Sequence, residues 1–296
     1  MSWKNAGSID LERVIIMQQK VKITTLCENN APGFGLLSEH GLSMVLERGN
    51  KRLIFDTGSG TSSSLITNAK LLGMDLNSLE AVVLSHGHYD HTGGLKNLFG
   101  KNSPLTVYAH PDIFNNYVYV QGKGPKYVGP SWSQEHLQGL GAQFHFSREP
   151  IELDEGLIIT GQIPRLVEYE TQEQIFLRKT NGDFVQDQIY DDQALVAESP
   201  KGTIVLLGCA HAGLINTLRY VTHLTGKRNI YAVIGGTHLM NVSEDRLVRT
   251  LKALEEFDIK KIAPCHCTGH RATVAIQQKF GEKFILNNVG SVFEFD

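Results

Sequence analysis

The stretch Leu84-Ser85-His86-Gly87-His88-Tyr89-Asp90-His91-Thr92-Gly93-Gly94-Leu95 places three histidines and one aspartate within six residues, directly after the apolar run Ala81-Val82-Val83-Leu84. A run that short, bounded by polar and glycine residues, reads as a buried strand rather than a helix. The cluster then sits where a strand ends and a loop begins. Side chains alternate along an extended chain, so His86 and His88 fall on one side. Asp90 and His91 lie just beyond, where Gly93 and Gly94 are expected to let the backbone turn sharply. Two imidazoles on one side and a carboxylate plus an imidazole on the other suit two adjacent divalent ions, provided later segments supply more ligands. A lone loop histidine is usually a solvated side chain; the pattern H-x-H-x-D-H between a strand and a double glycine is metal-ligand spacing.

Downstream, three predicted strands each end in a small-residue loop that carries a histidine: His211 in Gly208-Cys209-Ala210-His211, His238 in Gly236-Thr237-His238, and His266 in Pro264-Cys265-His266-Cys267. Parallel strands of one sheet bring their carboxyl ends together, which is where sites in open α/β sheets form. His110, His136, His145, His223 and His270 lack this context and are read as ordinary histidines. Cys265 and Cys267 flank His266, but Cys-x-Cys alone is a weak sulfur-ligand signal.

The elements around these motifs follow from periodicity and turn chemistry. Val21–Leu26 reads as a strand, and Gly41–Leu46 with Arg52–Phe55 reads as a hairpin about Gly49-Asn50. Ser62–Leu72 has helical spacing, with Gly73 as its stop. A short helix near Leu95–Phe99 and a strand Leu105–Ala109 come next. Residues 110–150 are less regular, and Gln121-Gly122-Lys123-Gly124-Pro125-Lys126-Tyr127 reads as a basic, aromatic-bearing loop able to cover a phosphate-bearing substrate. Asn181-Gly182 between Ile175–Thr180 and Phe184–Tyr190 is a hairpin signal. The chain then alternates: strand Thr203–Leu207, helix Leu214–Leu224, strand Ile230–Ile234, helix Ser243–Phe257, strand Lys261–Ala263. The stripes Leu214/Leu218/Val221 and Leu247/Leu251/Leu254 are core faces.

Composition sets bounds. The 296 residues are 41% hydrophobic and 20% charged, which is ordinary for a soluble globular protein and enough for a proper core. A net charge of −3 offers no basic field for nucleic acid. No apolar run approaches the ~20 residues of a membrane span. Val14-Ile15-Ile16-Met17 is too short for a signal-peptide core of ~7–15 residues, so residues 1–18 read as an N-terminal extension and 19–296 as a single domain. Four cysteines in a chain this long suggest no disulfide scaffold, and the expected location is the cytoplasm.

His86-Gly87-His88-Tyr89-Asp90-His91 resembles the signature of the metallo-β-lactamase superfamily, and Ile54-Phe55-Asp56-Thr57-Gly58 resembles its strand-ending D-x-G element, whose aspartate supports the metal-binding loop. A narrower likeness, to the branch of archaeal dihydropterin ribofuranosylaminobenzene 5′-phosphate synthases, lies in Gly161-Gln162-Ile163-Pro164-Arg165, Asp191-Asp192-Gln193-Ala194-Leu195, Gly208-Cys209-Ala210-His211-Ala212-Gly213 and Gly235-Gly236-Thr237-His238-Leu239. The resemblance runs from about Lys20 to the C-terminus. It implies an α/β fold, the four-layer αββα sandwich of the superfamily, with two metals at one edge between the sheets. It also implies His86 and His88 on the first metal, Asp90 and His91 on the second, and His266 completing the second; His211 is the candidate to complete the first.

The sequence departs from the superfamily pattern at two points. Gln162-Ile163-Pro164 and Asp191-Asp192 stand in the region where a metal histidine is usual, and Gly208-Cys209 stands where Gly-Asp supplies the bridging aspartate. Cys209 is a candidate bridging thiolate, since zinc accepts sulfur, with a bridge of water alone as the alternative, or else it is a small buried residue.

The expected cofactor is a pair of divalent ions, zinc first, with iron and manganese as alternatives. Two such ions lower the pKa of water toward ~7 and polarise a phosphoryl or carbonyl oxygen. Asp90 and His238 are the candidate catalytic residues; His238 is a metal ligand or a substrate contact, or else structural, and with Arg165 and Lys123 it is a candidate to steady an anionic substrate, with Arg165 alternatively in a surface ion pair. The expected partner is a small anionic or phosphorylated metabolite, without nucleic acid or membrane, and a homo-oligomer stays open. The reaction is hydrolysis or, by the narrower likeness, a pterin-type transfer that displaces pyrophosphate. Two other classes compete. Di-iron redox relatives carry glutamate where this chain has His88 and usually a flavin domain with no counterpart here. A non-catalytic metal-bound sensor is kept in view by the altered bridging position.

Overall fold

The computed structural model describes residues 19–296 apart from 101–102, 116, 121–123 and 172–174, so the extension expected over 1–18 and the substrate candidate Lys123 lie outside the described residues. The strands are β1 (Val21–Cys27), β2 (Ser43–Arg48), β3 (Lys51–Phe55), β4 (Ala81–Val83), β5 (Leu105–Ala109), β6 (Tyr117–Val120), β7 (Pro125–Tyr127), β8 (Ala142–Phe146), β9 (Ile151–Asp154), β10 (Leu157–Ile159), β11 (Phe176–Thr180), β12 (Asp183–Gln186), β13 (Leu195–Ser199), β14 (Gly202–Leu207), β15 (Ile230–Gly236), β16 (Lys261–Cys265) and β17 (Val292–Phe295). The helices are α1 (Ser64–Leu71), α2 (Tyr89–Thr92), α3 (Gln134–Gly139), α4 (Leu214–Thr225), α5 (Glu244–Ala253) and α6 (His270–Phe280).

The strands form a seven-stranded sheet in the order β17-β1-β2-β3-β4-β5-β8, a six-stranded sheet β16-β15-β14-β13-β10-β9, and a small sheet β12-β11-β6-β7. Within the first, β3, β4, β5 and β8 are parallel. Within the second, β14, β15 and β16 are parallel.

Strict alternation explains the layering. In β2, β3 and β4 the residues Met44, Leu46, Leu53, Phe55, Ala81 and Val83 enter a core shared with Ile204, Leu206, Ala232, Ile234 and Ala263 of the second sheet. Their neighbours Val45, Ile54 and Val82 face the other way, onto Leu65 and Ala69 of α1 and Leu137 of α3. Likewise Val205, Leu207 and Val233 turn outward onto Leu214, Leu218 and Val221 of α4, Leu247 of α5 and Ile276 of α6. The result is four layers, helix–sheet–sheet–helix. Strands covered on both faces read as unbroken apolar runs, which is why β14 and β15 stand out in the sequence.

Local chemistry starts and stops the helices. Ser243 Oγ accepts the Arg246 N–H, and Glu244 and Asp245 occupy the positive first turn of α5. α4 ends at Gly226, which is left-handed (φ 67°). α5 stops at Ala253 and tightens into a 3-10 turn, Leu254–Glu256, so the helix expected through Phe257 is shorter than its apolar stripe.

The irregular region 110–150 contains β6, β7, α3 and β8. β7 is exposed throughout and only three residues long, so it leaves no alternating apolar signal, and Pro125–Tyr127 lies in the small sheet rather than in an open loop. Gly93 and Gly94 form the turn between α2 and the 3-10 helix Leu95–Leu98, but with right-handed backbone (Gly93 φ −65°, ψ −32°, Gly94 similar), so the turn itself does not require glycine. A Cβ on Gly93 would lie 1.8 Å from the Ser59 carbonyl oxygen, and one on Gly94 would lie 2.0 Å from that of Thr57. They are glycines so that the motif can pack backbone to backbone on the loop after β3.

Candidate metal centre

The carboxyl ends of β3, β4, β14, β15 and β16 meet along one rim between the two large sheets, and they deliver Asp56, the Ser85–His91 loop, Cys209 with His211, His238 and His266. Four of these chain turns pass through a left-handed residue that is not glycine: Asp56 (φ 59°), Ala210 (φ 54°), His238 (φ 50°) and His266 (φ 53°). Such residues cost roughly 1–3 kcal/mol each and concentrate where side chains are aimed for function.

Two ligand sets result. His86 Nε2 faces His88 Nδ1 at 3.0 Å. The His211 ring stands 4.7 and 4.9 Å from the rings of His86 and His88, centroid to centroid. The second set joins His91 Nε2 to His266 Nε2 at 3.2 Å, with Asp90 Oδ2 3.3 Å from His266 Nε2. Two nitrogens at ~2.0–2.1 Å on a tetrahedral zinc stand about 3.3 Å apart, close to both nitrogen pairs. Ligating atoms of His86, Cys209 and His211 lie within 4.8 Å of one another, and so do those of His91, Cys209 and His266. Cys209 is thus common to both sets, with Sγ 3.2 Å from His91 Nε2. Both ring nitrogens of His211 are buried without a hydrogen-bond partner among the described residues, a costly state that an ion on one of them would relieve at that nitrogen.

A buried scaffold holds these rings. The Ser85 N–H and Oγ each donate to Asp56 at 2.7 Å, and Asp56 Oδ2 lies 2.6 Å from His91 Nδ1. Asp56 therefore fixes the ring so that Nε2 points into the centre. Glu28 accepts the His266 N–H at 2.7 Å, and Asn29 Oδ1 lies 3.0 Å from His266 Nδ1. Asp191 accepts the Gly87 N–H at 2.6 Å, Asp192 accepts the Ala212 N–H at 2.8 Å, and the Gln193 amide donates to the Leu84 carbonyl at 2.8 Å. The Asp191-Asp192-Gln193 segment thereby ties the motif loop to the His211 loop. Gln162 turns to His110, 3.4 Å away; in space it is His211 that stands beside His86 and His88.

Arg165 is placed apart from these rings. Its guanidinium donates to the carbonyls of Gln188, Ile189 and His211, the last two at 3.1 and 3.2 Å. It is absent from the wall of the cavity that opens over the centre and fastens the backbone behind His211.

Electrostatics suit a cation. Burial, then the neighbouring rings, hold His86 and His211 neutral well below the usual histidine range, and burial brings His88 to about 3. Neutral imidazole is the ligating form. Burial opposes charge on His91, but Asp56 and Asp90 outweigh it and raise the ring to about 9. Burial likewise opposes ionisation of Asp90, yet His91, His266 and His40 keep it an anion. Burial and the adjoining Cys267 push the Cys209 thiol well up, so a thiolate there calls for a bound cation.

A cavity of 310 Å³ opens over the centre, walled by Asp90, His211, His238, His266, Cys267 and others. The small sheet supplies Phe176, whose ring stacks on His88 at 5.2 Å (24°), and Lys126. The sequence reading missed His40, 3.3 Å from Asp90 Oδ2, and also Lys126, Phe176 and Cys267. His40 follows no strand and belongs to no motif, so nothing local marked it. Cys267 had a signal in Cys265-His266-Cys267, and Lys126 sat in the basic stretch where Lys123 was preferred.

The chain belongs to the metallo-β-lactamase superfamily. The family profile described as "Metallo-beta-lactamase superfamily" matches residues 39–169. Over 98% of this chain and 99% of the relative, it is 33% identical to the 7,8-dihydropterin-6-methyl-4-(beta-D-ribofuranosyl)-aminobenzene-5'-phosphate synthase of Methanocaldococcus jannaschii. Among solved structures it resembles Tm1679, described as a metal-dependent hydrolase of the beta-lactamase superfamily, with a TM-score of 0.80 and 29% identity over 92% of this chain and 98% of that one. The metallo-beta-lactamase fold protein YhfI of Bacillus subtilis shares the fold at 16% identity and a TM-score of 0.57, covering 94% and 100% of the two chains.

Proposed function

We propose that this chain is a dinuclear metal-dependent enzyme, with zinc as its metal, that acts on a small phosphorylated metabolite bearing a flat ring. The observation that carries the reading is the pair of ligand sets meeting on Cys209. His86, His88, His211 and Cys209 would hold one ion, and Asp90, His91, His266 and Cys209 the other. Such a pair supplies water activated at neutral pH and a polarised phosphoryl oxygen.

The chain's own residues do the rest. Asp90, anionic and at the cavity wall, orients the attacking group by accepting a hydrogen bond from it. Lys126, the lysine of that wall, meets a phosphate, and Phe176 and Tyr89 flank a planar ring. His238 reaches the same cavity as a polar contact to the leaving group. Full-length likeness to the synthase favours transfer of a dihydropterin-methyl group to a ribofuranosylaminobenzene phosphate, with pyrophosphate leaving. Hydrolysis of the same pyrophosphate ester is the second reading, favoured by the likeness to Tm1679. A reducing compartment keeps Cys209 in the thiol form that either reading needs.

Metal content by mass spectrometry comes first, on protein purified without added metal; two equivalents are expected. The loaded protein is then given a dihydropterin-6-methyl pyrophosphate with and without the aminobenzene acceptor. Pyrophosphate release only with acceptor supports transfer, and release in water alone supports hydrolysis. No turnover by fully loaded protein overturns the substrate class, and no bound metal after reconstitution overturns the centre itself.

A further inference from the structure

A third set of ligating atoms lies beside the two histidine sets. Cys209 Sγ, the His238 ring and Cys267 Sγ are all within 4.8 Å of one another. All three also line the cavity, whereas each histidine set has a member, His86 or His91, that is wholly buried and absent from the cavity wall. An ion arriving through the cavity therefore meets the sulfur-rich set before it can contact every member of either histidine set. Two thiolates and an imidazole leave a fourth tetrahedral position open, the arrangement of an accessible rather than a closed zinc site.

A second observation points the same way. The His238 backbone N–H donates to Cys267 Sγ at 3.3 Å. Hydrogen bonds from backbone N–H groups are a standard means of stabilising a metal-bound thiolate. The left-handed turn at His238 (φ 50°) sets that N–H on the sulfur while the ring faces the cavity. Cys267 sits on the 3-10 turn His266–Thr268, one residue after a member of the second histidine set. The loop after β16 thus serves both sites.

We propose that Cys209, His238 and Cys267 form a loading site for a thiophilic divalent ion, which enters from the cavity, binds there first and then passes to the histidine sets through the shared Cys209. This rests on the dinuclear reading above, because the destination of the ion is that centre. Softness favours the order of binding: two sulfurs compete for zinc or cobalt more strongly than one.

Co2+ is the probe, since thiolate ligation to it gives a sulfur-to-metal charge-transfer band in the near ultraviolet. Full-length protein is stripped of metal, kept reduced and titrated. Directly after rapid mixing with one equivalent the band is expected at two-thiolate intensity, decaying to one-thiolate intensity as the ion passes on, and Cys267→Ser is expected to lower the early band by about half, one of two sulfurs being gone. His86→Ala is expected to leave the early band unchanged. Saturating capacity stays at two equivalents in Cys267→Ser, with final occupancy reached more slowly. An early band that is insensitive to Cys267→Ser but lost in His86→Ala overturns the loading site. Capacity below two equivalents in the unmodified chain is the separate failure of the dinuclear reading.

Discussion

Asp56 shows how much a residue that touches no cavity can control. It is fully buried, and its two oxygens accept from the Ser85 backbone and hydroxyl and meet His91 Nδ1. Removing it leaves the Ser85 N–H unsatisfied and frees the His91 ring to rotate. Asp56→Ala is therefore expected to weaken metal binding on the order of 10–100-fold, the range seen when such supporting partners of ligands are lost. Competition with a chromogenic chelator measures it, and unchanged affinity would remove Asp56 from the account. His211 carries a different lesson at this scale. Its ring stands with those of His86 and His88 although it lies more than 120 residues further along the chain, two residues after Cys209.

At the scale of elements, the loops are held by carboxylates from distant segments. α4 has Gly213 at its N-cap, which has no capping side chain of its own. Glu170 supplies the cap from another segment, accepting the Ile215 and Asn216 N–H groups at 2.8 Å each. A Cβ on Gly213 would lie 2.2 Å from a Glu170 oxygen, so only glycine lets the two approach. Glu170→Ala is expected to cost about 1–2 kcal/mol, the usual worth of a helix N-cap. Urea denaturation reads this out; a midpoint shifted by less than the measurement error counts against the cap. The small sheet is an element of another kind, because β7 and β11 bring Lys126 and Phe176 over the metal centre.

In the whole molecule, the centre lies where the two large sheets meet. β4 of one sheet leads into His86–His91, and β14 and β16 of the other lead into Cys209, His211 and His266. On the proposed function, ions held by both sides would tie the sheets together only in the native state and so stabilise by mass action, ~4 kcal/mol at a thousandfold excess over Kd. Removing metal with a chelator is expected to lower Tm by roughly 8–16 °C for a chain of this size, with recovery on adding zinc. Differential scanning calorimetry with and without chelator tests it, and an unshifted Tm contradicts ions spanning the sheets. Among the described residues no helix is long and apolar enough to cross a membrane.

What was legible in the sequence is what short-range chemistry dictates. Ala81–Val83 and Leu105–Ala109 carry their strand type in local apolar pattern, and Asn181-Gly182 carries its hairpin. The H-x-H-x-D-H spacing names its own chemistry because ligands close in sequence are close in space. Three strand-end histidines could be read as convergent because parallel strands share a carboxyl edge. Other features depend on separations the sequence cannot express. That Cys209 is common to both sets, that Arg165 turns to backbone carbonyls, and that His40, Lys126 and Cys267 reach the centre were decided by the packing of one sheet on the other. So were the reasons for Gly93 and Gly94, whose neighbours Ser59 and Thr57 lie more than thirty residues earlier. Local pattern specifies which residues can bind an ion; only the tertiary fold sets the few ångströms between their atoms, and those distances determine which of them can share one.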